Sequence, residues 1–219
     1  MDKPQMIINI GRQVGSGGRM IAKQLAEEFE CSLYDKELLN LAAKESGFSE
    51  KFFEENDEQN GFLKSLSHVH VPLFGENYYY KNNFSQENLY QFQSDAIRKA
   101  AGLGSCVFVG RTADYVLRDF KNTVNIFISA DLEDRIRRVC KRRDIVRGEA
   151  KKLIKRKEDE RASYYNYYTG KQWGHAESYD LCVNTSRLGI EATGCFIASF
   201  IRLRFGLTPG EAHIHVSER

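Results

Sequence analysis

The stretch Ile7-Ile8-Asn9-Ile10-Gly11-Arg12-Gln13-Val14-Gly15-Ser16-Gly17-Gly18-Arg19-Met20 decides how the rest of the chain reads. A short apolar run ends at a glycine-rich turn, and an amphipathic segment starts at once, with Met20, Ile21, Leu25, Ala26 and Phe29 at helical spacing. A strand, a glycine loop and a helix in that order turn backbone N–H groups and a helix N-terminus toward one point, where an anion is held. Gly15, Ser16, Gly17 and Gly18 are the candidate phosphate cradle, with Arg12 and Arg19 as flanking cations. The alternative is a tight turn whose glycines only supply positive φ. Three glycines in four residues between two arginines exceed the needs of a turn. The loop departs from the usual phosphate-binding pattern, in which a lysine and then a Ser or Thr follow the glycines. Gly18 stands at the lysine position and Met20 at the hydroxyl position. Ser16, or water held by Asp35, are the candidates left for a metal contact.

Outward from the loop, short apolar runs alternate with helical patterns. Cys31–Tyr34, Cys106–Val109, Val124–Ile128 and Leu181–Val183 read as further strands, and helical patterns follow all of them except Cys106–Val109, which is cut off by Gly110-Arg111. Strands that are apolar throughout belong to a parallel sheet covered on both faces, so the fold class is α/β, a three-layer αβα with a five-stranded parallel sheet. Ligands of such sheets bind at the carboxyl ends of the strands. Those ends carry the glycine loop, Asp35, Gly110-Arg111 and Asn184-Thr185-Ser186, which points to a single site.

Helices are expected at Leu38–Gly47, from an N-cap at Ser85 to Gly102, from Asp131 onward with its acid-x-x-acid start, over Gly148–Tyr168, and through Ile190–Ile201. Asp57–Asn83, with Tyr78-Tyr79-Tyr80, is the least regular region and suits a lid or binding segment.

Asp35 either orients an acceptor or a metal-bound water, or caps the following helix. Arg111 either grips an acceptor phosphate or forms a surface ion pair. The basic run from Arg135 to Arg161 includes Arg142, Arg143, Arg156 and Arg161. It is a solvated face, an arginine lid closing over phosphates, or a nucleic-acid groove with Tyr164–Tyr168 as stacking platform. Gln93 and Arg98 reach an acceptor or simply face solvent. His213 and His215 read as a frayed tail.

Composition sets the outer bounds. The 219 residues suffice for one α/β domain with an insertion, and a net charge of +2 argues against a nucleic-acid partner. Five scattered cysteines without a C-x-x-C pair suit a reducing compartment and no zinc site. With no apolar run of membrane-spanning length and no leader pattern, a cytoplasmic protein without a membrane partner is expected. The aromatics between Phe74 and Phe92 serve either a homodimer contact or the cap of a cleft.

Several motifs together resemble the bacterial cytidylate kinase-like family. They are Ile10–Arg19, Tyr34-Asp35-Lys36-Glu37-Leu38, Val109-Gly110-Arg111-Thr112-Ala113-Asp114-Tyr115, Arg161-Ala162-Ser163-Tyr164-Tyr165, Thr169–Gly174 and Tyr179–Ser186. The resemblance implies a P-loop nucleoside-monophosphate-kinase fold. In it, one kinase-like domain has its core at 1–48, 99–141 and 175–205, a helical acceptor-binding insertion at 49–98, and a basic lid at 142–174. It also implies ATP and Mg²⁺ as cofactors and transfer of the ATP γ-phosphoryl group to CMP or dCMP. By the same resemblance Asp35, Gly110, Arg111 and some of Arg142, Arg143, Arg156 and Arg161 surround the two nucleotides. The family's enzymes carry the loop lysine, and Asp-Gly-Arg-Asp where this chain has Val109-Gly110-Arg111-Thr112. A nucleotide- or phosphate-binding protein without turnover, or a kinase of another small acceptor, are the competing expectations.

Overall fold

The computed structural model describes residues 4–35 and 86–207. The expected helix at Leu38–Gly47, the irregular segment with Tyr78–Tyr80, the Ser85 cap, most of the 49–98 insertion and the two C-terminal histidines lie outside the described residues.

The elements run β1 (Ile7–Arg12), α1 (Gly18–Glu28), β2 (Ser32–Tyr34), α2 (Gln86–Leu103), β3 (Cys106–Val109) and α3 (Ala113–Val116). They continue with β4 (Thr123–Ser129), α4 (Leu132–Arg143), α5 (Arg147–Thr169), β5 (Leu181–Asn184), α6 (Thr185–Leu188) and α7 (Ile190–Phe205). A single 3₁₀ turn at Ala176–Ser178 precedes β5. The strands form one parallel sheet in the order β2-β3-β1-β4-β5. Register pairs Ile10 of β1 with Val109 of β3 and Ile126 of β4, so the loops after β1 and β3 leave the sheet side by side.

The sheet is apolar on both faces because helices cover both. Ile8, Ile10, Val107, Val109, Val124, Ile126 and Ile128 pack against Ile21 and Leu25 of α1 and Ile197 and Ile201 of α7. Ile7, Cys106 and Phe108 point the other way, onto Ala96, Ile97 and Ala100 of α2 and Val116 of α3. Alternate residues of one strand thus feed opposite cores, which is why a four-residue strand such as β3 contains no polar residue. A third, smaller core joins Ile136 and Val139 of α4 to Ala150 and Ile154 of α5 and closes on Val14 of the glycine loop. Helix α5 is therefore fastened to the loop by packing as well as by polar contacts. Among the described residues no helix is long and apolar enough to cross a membrane.

One expected feature takes a different form, and one helix was not expected. Asp131 does occupy the N-cap of α4, but its side chain caps no helix N–H. Its carboxylate instead accepts from Asn184 Nδ2 at 2.8 Å and pairs with Arg187 at 3.4 Å, tying the β4 and β5 ends together. Helix α3 was hidden in the sequence because Gly110, Arg111 and Thr112 precede it, all at left-handed φ (77°, 58° and 56°).

Candidate active site

The glycine loop leaves β1 at Arg12 and re-enters helix at Gly18. Gly15 and Gly17 adopt φ of 80° and 86°, a conformation that costs other residues about 1–2 kcal/mol. Space matters as much: a Cβ on Gly15 would lie 2.8 Å from the Arg135 carbonyl, and one on Gly17 would lie 2.6 Å from Ile190 Cδ1. Ser16 is fully buried, and its hydroxyl donates to the Gln13 carbonyl at 2.9 Å. That engages Oγ in the loop's own framework. Met20, at the hydroxyl position, is exposed.

The loop is braced from beneath. Thr185, completely buried, donates from Oγ1 to the Ser16 carbonyl at 2.8 Å. Arg138 donates to that same Oγ1 at 2.9 Å and to the Gly15 and Ser16 carbonyls at 3.3 Å. Asn184 accepts from Ser186 N–H and caps α6, and Ser186 accepts from Asp131 N–H at 2.9 Å. Asn184-Thr185-Ser186 thus hold the loop in place, where the sequence suggested they would face the ligand. Ser16 N–H turns back to the Gln13 carbonyl and Gly18 N–H to Ser16 Oγ, each at 3.4 Å, long contacts with which an anion above the loop would compete.

From above, α5 lies on the same loop. Arg161 donates from Nη1 to the Arg12 carbonyl at 2.9 Å. Glu158 Oε1 accepts from Val14 N–H at 3.2 Å and from Arg135 Nη1 at 2.6 Å. Neither Glu158 nor Arg135 stands out in a run where every turn is charged.

Arg12, Arg19, Arg111, Arg142 and Arg161 converge around the glycine loop and the β3 end. Burial, and then the like charges of Arg142 and Arg111, hold the Arg161 guanidinium below its ordinary range, although Glu158 and Glu160 act the other way. Arg142 is lowered likewise by partial desolvation, Arg143 and Arg19. A cluster in which cations weaken one another is a place where an anion gains most. Arg19 Nη2 lies 2.6 Å from Asp35 Oδ2, and Asp35 is buried at the end of β2. The Arg12 side chain passes over Gly18 and reaches Gly110.

The acceptor side is marked by Arg111, whose guanidinium lies 5.4 Å from the Tyr164 ring centroid. Tyr164 donates to Gln93 Oε1 at 3.2 Å, so Gln93, buried on α2, joins the site through a tyrosine of the lid helix. Burial raises the Tyr164 hydroxyl above its usual range, with Arg111 opposing. Tyr90 and Tyr168 stack at 3.8 Å beside them. Sequence reading offered these tyrosines as a stacking platform for nucleic acid; the structure spends them on joining α2 to α5. One residue further, Tyr165 donates to Asp114 Oδ2 at 2.7 Å, and burial raises the Asp114 carboxyl.

Two expected cations lie elsewhere. Arg98 is on the exposed side of α2 and pairs with Asp95 one turn earlier at 3.2 Å, five residues from Gln93 and on another face. Arg156 shares the strip of α5 formed by Lys152, Lys155, Asp159, Glu160 and Ser163, and its pairing with Glu160 at 3.9 Å is half exposed. Residues 158 and 161 face the loop, so residue 156, about 200° around the helix from 158, cannot. Arg143 is exposed at the end of α4 and contributes charge beside Arg142. The structure brings Gly15, Gly17, Gly18, Gly110, Arg12, Arg19, Asp35, Gln93, Arg111, Arg142 and Arg161 together around the glycine loop and the end of β3.

The donor set fits phosphates better than a metal held by protein alone. Among the described residues no three His, Cys, Asp or Glu side chains group as a metal site. Mg²⁺ on a nucleotide needs few protein ligands, one or two carboxylates at most, since phosphate oxygens and water supply the rest. At the end of β2, Asp35 is a buried carboxylate paired with Arg19.

Residues 7–187 match the cytidylate kinase-like family. A cytidylate kinase of Methanocaldococcus jannaschii is 27% identical over 203 residues, covering 90% of this chain and 97% of that one. Among solved structures, an uncharacterized protein from Eubacterium ventriosum superposes with a TM-score of 0.68 at 28% identity, covering 90% of this chain and 98% of its own. A shikimate kinase from Bacteroides thetaiotaomicron has a TM-score of 0.52 at 12% identity, with 91% and 99% covered. The corresponding enzyme from Acinetobacter baumannii, in complex with shikimate, has the same TM-score at 11% identity, with 92% and 96% covered. These last two share the three-layer fold of P-loop kinases and nothing finer. The match over residues 7–187 spans the glycine loop, the Gly110-Arg111 turn and helix α5 alike, and on it the chain belongs to the cytidylate kinase-like family.

Proposed function

We propose that this chain is a phosphotransferase that moves the γ-phosphoryl group of ATP to a nucleoside monophosphate, CMP or dCMP. The observation that carries the reading is the convergence of arginines from four elements on the glycine loop and the β3 end. Arg12 comes from β1, Arg19 from α1, Arg142 from α4 and Arg161 from α5, with Arg111 on the turn after β3. Phosphoryl transfer asks a protein mainly for alignment and for positive charge around the moving group.

The glycine loop presents amides to the donor phosphates. Arg111, held over Tyr164, takes the acceptor phosphate, and Gln93 with Tyr164 frames the acceptor beside it. Asp35, steadied by Arg19, orients the acceptor or water. Arg142 and Arg161 draw in negative charge and, through Arg161 on the Arg12 carbonyl, fix the lid helix to the loop. Mg²⁺, when bound with the nucleotide, would screen the phosphate charge. Residues 142–174 act as the lid, and the insertion at 49–98 holds the acceptor.

The test is ADP formation from ATP and Mg²⁺ with a panel of nucleoside monophosphates. Turnover confined to CMP and dCMP is the expected result. Nucleotide binding without turnover on any acceptor overturns the proposal in favour of a binding protein, which the glycine and methionine at the lysine and hydroxyl positions would then explain. Turnover only with an unrelated acceptor overturns the nucleotide specificity.

A further inference from the structure

Resting on that phosphotransferase reading, we propose that Arg12 has taken over the work of the missing loop lysine, and that Gly18 is glycine to let it. Gly18 is the first residue of α1, and its φ lies outside the left-handed region, so its backbone would accept any side chain. What excludes one is space. A Cβ at position 18 would lie 2.7 Å from Arg12 Cβ and 3.1 Å from Arg12 Cγ. The Arg12 Cβ is fixed by the backbone of β1 and cannot swing aside as a side-chain tip would. A lysine at position 18 and a side chain at position 12 therefore compete for one volume.

The other end of Arg12 tells the same story. A Cβ on Gly110 would run into Arg12 Nη1 and lie 3.2 Å from Cζ. The arginine is thus laid between two glycines, from the first turn of α1 to the end of β3. That course places its guanidinium between the donor loop and Arg111, where the transferred group must pass. A planar fork with five N–H donors can hold oxygens of two phosphates at once, which a lysine point charge does with less direction. Arg19 is directed elsewhere, its guanidinium 2.6 Å from the Asp35 carboxylate at the end of β2. In the usual loop the cation rises from the helix; here it arrives from the strand.

The full chain and five variants would be titrated with ATP and Mg²⁺ by calorimetry, with thermal melting alongside. Arg12→Ala should weaken ATP binding about tenfold to a hundredfold, the loss of one or two charge-assisted hydrogen bonds. Gly18→Lys should lower the melting temperature and bind no tighter than wild type. Arg12→Gly with Gly18→Lys should recover affinity to within a few-fold of wild type, since the lysine then has room. Gly110→Ala should weaken binding in the wild-type background and add nothing to Arg12→Ala. Unchanged ATP affinity in a folded Arg12→Ala overturns the proposal, as does a Gly18→Lys protein with wild-type melting and binding. Both results leave the phosphotransferase reading standing. Failure of the wild-type chain to bind ATP overturns that reading and this one with it.

Discussion

Replacing Glu158 by alanine removes the carboxylate that links α5, the glycine loop and α4. Its Oε1 is 2.6 Å from Arg135 Nη1, and the two side chains are 19% and 9% exposed. Arg135 Nε is also buried without a hydrogen-bond partner, so Glu158 is this guanidinium's charge partner in the described structure. Stranding a fully buried charge costs about 3–5 kcal/mol. The lost acceptor for Val14 N–H adds about 1 kcal/mol. Water reaching the vacated site through the partly open Glu158 position offsets some of this, which leaves roughly 3 kcal/mol. For a chain of this length that is a fall in melting temperature of about 6–12 °C.

Scanning calorimetry with urea titration measures it directly, the second giving free energy and confirming an unchanged slope. A second variant separates charge from packing: Arg135→Met with Glu158→Leu keeps the volume apolar and should recover most of the loss. A Glu158→Ala protein that melts within about 1 °C of wild type would refute the reasoning, because so small a shift corresponds to well under 1 kcal/mol. So would a double variant as unstable as the single one.

Three further outcomes follow from single residues. Arg111→Gly removes left-handed strain of about 1–2 kcal/mol and forfeits a cation–π contact of about 0.5–1 kcal/mol. Its melting temperature should hold or rise while the acceptor KM climbs at least tenfold; a clear fall in melting temperature contradicts this. Asp114→Asn tests the raised carboxyl buried against Tyr165. Above the ordinary aspartate value of 3.8, the folded state holds this proton longer than the unfolded one, so stability contributed by Asp114 falls as pH rises through its elevated folded pKa. Melting against pH should flatten there in the variant, and a variant curve parallel to wild type would refute it. Thr185→Val strips the Ser16 carbonyl and Arg138 of a buried hydroxyl and should cost about 1–3 kcal/mol with weaker ATP binding; urea titration and calorimetry check both.

Much of the fold was legible because burial on two faces leaves a plain trace. Cys106–Val109 reads as a strand at its observed limits, and the loop between Ile10 and Met20 announces strand, turn and helix in order. Less legible were features set by long-range contacts. Asn184-Thr185-Ser186 sits at a strand end like any ligand-facing triplet, yet its three side chains turn back to the loop, to α6 and to Asp131. Helix α5 carries charge on every face, so nothing in its spacing could show that Glu158 and Arg161 meet the loop while Arg156 faces away. The Asp131 start of α4 was visible, but not that its carboxylate would leave the helix for Asn184. Arg98 misled for the same reason: polarity at helical spacing does not say which polar face is covered. Tyr164 was visible only as part of an aromatic cluster, since its partners Gln93 and Arg111 are 71 and 53 positions away in the sequence.

The central claim is that the arginine cluster transfers phosphate and does more than hold it. Single-turnover mixing of excess protein with γ-labelled ATP, Mg²⁺ and CMP tests this most directly, because it reads the bond made and needs no product release. The account predicts label on CDP, at a rate that falls at least tenfold in Arg111→Ala. Label remaining on ATP, or appearing only as free phosphate, while ATP and CMP are both bound, would contradict it.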